Sequence, residues 1–437
     1  MNKKNKECKE SFINRRSFIK NTAGALALFT IVPRHVLGKG FTPPSDQLTK
    51  AIVGVGSMGR NHIPYNNTRV VAVCDVDTRH IQLALDDIKT TFPNQNIKGV
   101  KTFTDYRNLI TLPEVDIVHV ATPPHWHGII AADAARAGKD VFCEKPMTRT
   151  IGEGKRLMEV VEQYDRIFRL NTWFRFKSDF YGFGTPVKPI KKLVESGLLG
   201  WPLKVTIGKH TGFNWKLDLW SGKPNLPEMP VPKELDYDTW LGPAPYHPYN
   251  PEHVHLKFRG YWDYDGGGLG DMGQHYLDPV QYFLGKDHIS PIRVDIDTPQ
   301  QHPYAVTPWR RIEFTYKDGC KIILDGDGTD KHAPYIEGPK GKLYKGFVSD
   351  VPNLEKKLAH YAEPESQITD FPLAVKKRKK FALNEQNGFR SCTLVNMAKV
   401  AVQLNRPLTF NPETLMFEEE AANRLSYEPM KAPRTMG

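Results

Sequence analysis

From about residue 47 the chain alternates short apolar runs with longer amphipathic or polar stretches. Thr49–Val53, Arg69–Cys74, Val115–Ala121 and Asp140–Cys143 read as buried strands, since each is brief, rich in β-branched residues and bounded by Gly, Pro or charge. Thr78–Thr91 fits a polar helix and Ile129–Ala137 a small-residue one, with a further segment around Asp105-Tyr106-Arg107. A helix over 152–164 and a strand over Ile167–Asn171 complete the first pattern. Strands alternating with helices predict an α/β domain with a doubly wound parallel sheet, over residues 47–172. The period then changes. Leu203–Ile207, Pro291–Ile296, Arg310–Tyr316 and Cys320–Leu324 alternate every two residues, and Lys317-Asp318-Gly319 between the last two marks a hairpin. Residues 173–437 are therefore expected to form a second α/β domain with a large, open, mostly antiparallel sheet. Within it, Asn387–Asn405 reads as a helix with Leu394, Met397, Ala398, Ala401 and Leu404 on its apolar face, packing back near the functional site.

The first strand runs into Gly54-Val55-Gly56-Ser57-Met58-Gly59, and the second ends in Asp75. A lone GxGxxG is weak; between a strand and a helix, with an acid about twenty residues on, it predicts a dinucleotide site. Gly54 would make the tight turn, Gly56 would let backbone amides near Ser57 and Met58 approach a pyrophosphate, and Gly59 would allow close helix packing. Asp75 would accept ribose hydroxyls and repel a 2′-phosphate, which favours NAD over NADP. The strand Asp140–Cys143 stops at Glu144-Lys145-Pro146. Proline ends the ladder there and leaves Glu144 and Lys145 at the sheet's carboxyl edge, where ligands of open parallel sheets bind. Thr122-Pro123-Pro124-His125-Trp126-His127 is expected to be a loop at the same crevice, with Trp126 or His127 against the nicotinamide ribose. His125-x-His127 has no cysteine or acidic partner nearby in sequence, so no metal site is assigned.

The second domain carries an aromatic, acidic and glycine-rich run from Tyr261 to Asp278. Asp271 and His275 are four apart, so a helix starting near Asp271 sets both on one face, and histidine suits the acceptance of a hydroxyl proton near neutral pH. As isolated residues they could equally be an N-cap and a core histidine.

Together GVGSMG with Asp75, ATPPHWH, CEKP, GDMGQH, WLGPAPYHPYNP and the segment from Leu404 to Leu425 resemble the glucose-fructose oxidoreductase/inositol dehydrogenase/rhizopine catabolism family, Gfo/Idh/MocA. The resemblance covers most of the chain after the leader. It implies a Rossmann domain followed by the open-sheet domain, with dimers or tetramers built on that sheet. It further implies that Lys145 contacts cofactor and substrate hydroxyl, that Asp271 hydrogen-bonds the substrate and that His275 is the general base. Thr122, Pro123, His127 and Glu144 fall on its cofactor crevice. Arg175, with Trp173 beside it, matches more loosely a basic position near the substrate. Tyr261 and Trp262, and with them Trp215 and Arg259, suit sugar stacking or hydroxyl binding by residue type alone, although core aromatics fit as well.

Composition changes this picture little. The chain is 437 residues with 40% hydrophobic and 25% charged residues and a net charge of +11. Residues 1–40 carry nine Lys/Arg against two acids, a net of +7, which leaves +4 for the remainder. Nucleic-acid binding is thus not indicated, and Lys376–Lys380, with no interleaved aromatics, reads as a solvated surface. Asn14-Arg15-Arg16-Ser17-Phe18-Ile19-Lys20, followed by the apolar run Ala23–Val32, resembles a twin-arginine export signal; the run is too short for a stable membrane span. That predicts export to the periplasm of an already folded protein, with retention by the leader as the alternative. Five scattered cysteines support neither a disulfide framework nor a zinc site.

The reading that follows is an NAD-dependent oxidoreductase that removes hydride from a hydroxyl-bearing carbon of a sugar or cyclitol. A folded, exported protein would carry its NAD tightly bound. The alternative is an NAD-dependent glycoside hydrolase or lyase acting through a transient keto-sugar; the histidine-bearing signature of such glycosidases is absent from the sequence. A sugar-binding protein that has lost the chemistry is a third reading, disfavoured by the retention of Lys145, Asp271 and His275.

Overall fold

The computed structural model describes residues 47–172, 174–176, 184–329 and 331–428; the basic leader and Trp173 lie outside them. The chain from Leu48 onward is one compact unit. Its first sheet comprises β1 (Leu48–Val53), β2 (Thr68–Cys74), β3 (Lys101–Phe103), β4 (Ile117–Val120), β5 (Asp140–Glu144) and β6 (Phe168–Asn171). All are parallel, in the order β3-β2-β1-β4-β5-β6. Strand order reverses between β1 and β4, so the carboxyl ends of these two strands flank a crevice. β4 and β5 are buried at every position, as strands covered on both faces are, with His119, Asp140 and Glu144 buried among their apolar residues.

The second sheet is built from β7 (Lys204–Gly208), β8 (Arg293–Asp297), β9 (Arg311–Thr315), β10 (Lys321–Asp325), β11 (Ile336–Gly338), β12 (Gly341–Tyr344), β13 (Val348–Ser349), β14 (Leu408–Asn411) and β15 (Met416–Phe417). Among the described residues its order is β13-β12-β11-β7-β10-β9-β8-β14-β15. The β9–β10 hairpin falls at the Lys317-Asp318-Gly319 turn, and among the described residues of this sheet only the β7–β10 pair is parallel. The alternating buried and half-buried residues of β9 show why a period of two was readable there.

Two helix starts differ from the sequence reading. The helix after β4 runs Pro124–Arg136, so His125, Trp126 and His127 form its first turn instead of a loop. Pro123 caps it and Pro124 sits at the first helical position, where a missing N–H costs nothing; two prolines there open a helix as readily as they break one. The helix carrying Asp271 begins earlier, at Gly267, and runs to Phe283, with Gly266 at φ +112° as its cap. The glycines before Asp271 are therefore the first helical turn. They are small because space is absent: a Cβ on Gly270 would stand 1.9 Å from Asp265 Oδ1, and one on Gly268 2.2 Å from the Trp215 carbonyl. The helix Glu385–Leu404 packs alongside, as its apolar face predicts.

The core also holds unusual polar residues. Lys50, fully buried in β1, donates to the carbonyls of His62 (2.7 Å) and Ile63 (3.0 Å), and burial pulls its pKa down to about 7. Burial lowers His125 to about 3 and His253 to about 4, and also depresses His119, His127 and His275. A histidine depressed in the folded state is protonated first in the unfolded chain. Stability is thus complete above the unfolded pKa of about 6.5 and falls as the pH drops below it, by up to about 2 kcal/mol per deeply depressed group at pH 5. His80, whose pKa is raised, works the other way but is a single group. The melting temperature should fall by on the order of 10 °C between pH 7 and pH 5. A thermal-unfolding series over that range checks this, and an unchanged midpoint would show that the histidines are not buried neutral.

Candidate active site

At the carboxyl ends of β1, β2, β4 and β5 lies a cavity of about 570 Å³. One wall is the glycine turn. Gly54 has φ +81°, and a Cβ there would come within 2.7 Å of the Ala121 carbonyl carbon. Gly59 is more constrained, because its Cβ would lie 1.8 Å from the Gly54 carbonyl oxygen. Gly56 differs: a Cβ would meet only the His80 ring at 3.7 Å, so nothing in the chain itself demands glycine. Gly56, Ser57 and Met58 line the cavity, as does Asp75. Asp75 accepts hydrogen bonds from the amides of Val55 (2.8 Å) and Asp77 (2.9 Å), with His80 Nδ1 at 3.3 Å. Burial opposes charging of His80, yet the hydrogen bond and charge of Asp75 raise its pKa. These features fit a dinucleotide: an open backbone turn at a helix start and a fixed carboxylate beside it.

A second wall comes from β4 and β5. Thr122 lines the cavity with a buried hydroxyl that has no partner among the described residues, which is a polar atom placed for a ligand. Pro123 lines it too. His127 sets Nε2 2.6 Å from the Thr122 carbonyl and Nδ1 2.8 Å from the Pro146 carbonyl, so its ring lies between the two loops and, neutral as burial keeps it, donates to one of these carbonyls at a time. Trp126 donates to the Trp240 carbonyl at 3.1 Å. Glu144 borders the cavity, but its carboxylate is taken by His62 Nε2 (2.7 Å), Asn171 Nδ2 (2.6 Å) and the Lys145 amide (3.3 Å). Burial opposes its ionisation, but His62 and Asn171 hold its pKa down to about 2. Glu144 thereby fixes the peptide from which Lys145 projects.

The third wall is the Gly267–Phe283 helix, and its residues divide the work. Lys145 Nζ donates to the Asp271 carbonyl and, at 3.0 Å, to Asp271 Oδ1. Arg259 Nε also reaches Oδ1 (3.2 Å), while Lys216 Nζ (3.2 Å) and Trp220 Nε1 (2.7 Å) reach Oδ2. Burial would raise the Asp271 pKa, but these three cations, Lys145 first, drive it far below the usual carboxylate range. His275, one turn on, has Nδ1 3.0 Å from Thr172 Oγ1 and packs on the Phe174 ring. Burial, followed by the Lys145 charge, keeps it neutral well below the ordinary histidine range. Gln274, between them in sequence, faces the other way: it accepts from the Met147 amide (2.8 Å) and donates to the Gly388 carbonyl (2.8 Å), which locks the helix to the residues after Pro146.

Three residues assigned to the substrate from sequence do not reach this cavity. Arg175 is buried and clamped by Asp278 (2.8 Å) and Asp287 (2.8 Å), with its guanidinium over the Tyr282 ring. A cation with two carboxylates is satisfied where it is, and its role is structural. Tyr261 and Trp262 are 1% and 2% exposed and belong to the core, Tyr261 stacking near Tyr304. Trp215 likewise donates to the Ile207 carbonyl and packs against Trp309. Trp173 lies outside the described residues.

Conversely, Lys216, Trp220, Thr172, Asp265, His80 and His255 are at or beside the site and were not assigned from sequence. Asp265 lines the cavity with Oδ1 buried and unpartnered among the described residues, and burial pushes its pKa up to about 6 despite Arg259 and Lys145. Asp77, His80 and His255 offer three possible ligand atoms within 4.8 Å of one another. Arg79 occupies both oxygens of Asp77, so the group reads as an ion-pair network.

Two family models match the chain. Residues 48–172 match the family model for the NAD-binding Rossmann fold of an oxidoreductase family, GFO_IDH_MocA, and residues 183–436 match the model for its C-terminal alpha/beta domain. An inositol 2-dehydrogenase of Salmonella typhimurium is 29% identical over 200 residues, 44% of this chain and 52% of that protein. A levoglucosan dehydrogenase of Pseudarthrobacter phenanthrenivorans is 29% identical over 185 residues, 42% of this chain and 36% of the relative. A glycosyl hydrolase family 109 protein of a Shewanella species is 32% identical over 178 residues, 36% of this chain and 38% of the relative. The match thus spans about half the length, or less, of these curated relatives. Among solved structures, the WlbA dehydrogenase of Bordetella pertussis, in complex with NADH and UDP-GlcNAcA, superposes with a TM-score of 0.54 at 16% identity, over 84% of this chain and 99% of that one. At that identity the likeness concerns the fold.

Proposed function

Because the chain belongs to the Gfo/Idh/MocA oxidoreductase family, we propose that it is an NAD-dependent oxidoreductase acting on a hydroxyl-bearing carbon of a sugar or cyclitol. The observation that carries this reading is the meeting of Lys145, Asp271 and His275 in the cavity whose other wall is the glycine turn. When bound, NAD⁺ supplies the hydride acceptor. His275 takes the hydroxyl proton: with Nδ1 held by Thr172 Oγ1, the proton goes to Nε2. Lys145 donates to the same hydroxyl oxygen and stabilises the negative charge that develops on it, while Asp271 holds Lys145 in place and orients the sugar. The relatives' names, inositol 2-dehydrogenase and levoglucosan dehydrogenase, support a polyol or sugar. Incubation with NAD⁺ and a panel of sugars and cyclitols, read as NADH formation, tests it; a protein that binds no nicotinamide nucleotide removes its basis.

The cofactor is held tightly and is NAD in preference to NADP. Asp75 disfavours a 2′-phosphate, and His255, Leu256 and Phe258, from beyond the first sheet, also line the cavity, with the His255 ring 4.7 Å from that of His80. The leader is a twin-arginine signal that delivers the loaded protein to the periplasm, and the open sheet builds a dimer or tetramer. Protein purified without added nucleotide and then denatured should release about one NAD(H) per chain. Empty preparations that bind NAD reversibly at micromolar affinity, about −8 kcal/mol, would instead mean a diffusible cofactor.

The second reading, a glycoside hydrolase or lyase working through a transient keto-sugar, is favoured by the Shewanella relative. It requires cleavage of a chromogenic N-acetylgalactosaminide with no net NADH, and net NADH without cleavage excludes it.

A further inference from the structure

The charge balance at the substrate end of the cavity points to a narrower class of substrate. Lys145, Lys216 and Arg259 all converge on the single carboxylate of Asp271, at 3.0, 3.2 and 3.2 Å. Its lone pairs are further shared with Trp220 Nε1. The other acid at this end, Asp265, is buried and has Lys399 behind it, whose side chain lies where a Gly266 Cβ would be. His275 is neutral, and Glu144, an anion hydrogen-bonded to His62 and Asn171, offsets one of the cations. Positive charge therefore exceeds negative charge where the substrate sits, and a nicotinamide ring in its oxidised form would add to the excess.

Two of these cations have capacity beyond Asp271. Lys216 Nζ has no other acceptor among the described residues, and Arg259 adds only Nη1 to the Leu256 carbonyl at 3.2 Å. Their placement is specific. Lys216 holds a left-handed backbone at φ +54°, uncommon for a residue with a side chain, and the amide is fixed by Asn214 Oδ1 at 2.8 Å. The Arg259 guanidinium lies over the rings of Phe258 (4.8 Å) and Trp220 (5.0 Å), two cation–π contacts that restrain it. Neutral hydroxyls would leave this partly buried surplus uncompensated, whereas a carboxylate accepts charge-assisted, bidentate hydrogen bonds from such a pair.

We propose that the substrate is a sugar acid, with its carboxylate on Lys216 and Arg259 and the hydroxyl to be oxidised on Lys145 and His275. This rests on the dehydrogenase reading above. The carboxylate is unchanged by the reaction: the carbon's hydride passes to NAD⁺, the hydroxyl proton to His275, and a C=O bond forms.

The test is calorimetric titration of the NADH-loaded protein with D-glucuronate and D-galacturonate against D-glucose and D-galactose. The acids should bind at least about tenfold more tightly, and the advantage should shrink as salt is raised. In Lys216→Gln and Arg259→Gln, with NADH content and melting temperature verified, the preference should fall by about tenfold or more. Equal binding of acid and neutral sugar, no measurable binding of either acid, or a preference that survives both substitutions overturns the proposal. NADH formation from a neutral sugar without acid preference leaves the dehydrogenase reading intact and removes only this one; failure to bind any nicotinamide nucleotide removes the dehydrogenase reading itself.

Discussion

His275→Ala should lower turnover by about two to four orders of magnitude while leaving the nucleotide content of the purified protein close to that of the wild type. The ring lies beside Lys145 and Asp271 at the substrate end, whereas the dinucleotide features are the glycine turn and Asp75 on the opposite wall. On the proposed mechanism, removing it deletes the proton acceptor and leaves the glycine turn and Asp75 in place. The pH profile adds a sharper signature. Burial first, and the Lys145 charge second, keep His275 unprotonated well below the ordinary pKa of a histidine. A base that stays neutral keeps working as the pH falls, so turnover should show no histidine-type limb near pH 6.5 over the range in which the fold survives. Lys145→Ala should be comparably damaging, since it removes the donor to the developing alkoxide and also one of the cations that fix Asp271. Turnover of His275→Ala within about threefold of wild type would show that the proton leaves by another route. Thr172→Val separates orientation from chemistry: it removes the Nδ1 partner at 3.0 Å and should cost less than removal of the ring.

What sequence revealed of this site, and what it did not, follows from how far apart the partners are along the chain. The glycine turn with Asp75 is local to one strand-helix-strand unit, and two of its glycines have steric reasons of their own, Gly59 against the Gly54 carbonyl within that unit and Gly54 against Ala121 at the end of β4. The four-residue spacing of Asp271 and His275 is likewise a property of one helix, although that helix starts at Gly267 and not at Asp271. Lys216 and Trp220 meet Asp271 across 55 and 51 residues, and Lys145 does so across 126. No periodicity encodes such encounters; Lys145 was legible because Pro146 and the strand before it mark a sheet edge and because CEKP accompanies the other motifs of the family resemblance. Arg175 shows the converse. An arginine just after a strand reads the same whether it faces a ligand or a buried pair of carboxylates, and Asp278 and Asp287, more than 100 residues away, decide the matter. Tyr261 and Trp262 were ambiguous for a related reason, since aromatic rings suit both a sugar and a core, and their burial at 1% and 2% assigns them to the core.

The glycine turn allows stability and cofactor binding to be separated by two alanine substitutions three residues apart. In Gly59→Ala the new Cβ would lie 1.8 Å from the Gly54 carbonyl oxygen and 2.8 Å from its carbon, a clash with backbone that no rotamer change relieves. The short Ser57–Arg60 helix must move away from β1, at a cost of about 3 kcal/mol or more, and the pyrophosphate cradle opens with it. The expected result is a melting temperature lowered by on the order of 5–10 °C together with complete loss of bound nucleotide. Gly56→Ala should behave differently. Gly56 has φ −64°, which alanine adopts without strain, and its Cβ would make ordinary contact with the His80 ring at 3.7 Å. Thermal stability of the nucleotide-free protein should therefore stay within about 1 kcal/mol of wild type. The methyl group nevertheless projects where the backbone must approach a pyrophosphate, so nucleotide carried through purification should fall from about one per chain to a small fraction, and added NAD should bind at least about tenfold more weakly. The decisive comparison is the melting temperature of both variants stripped of nucleotide beside their NAD(H) content as isolated. A Gly56→Ala protein that keeps a full complement of NAD would show that the backbone at Gly56 does not touch the cofactor, and would move the pyrophosphate away from the turn on which the whole site has been built.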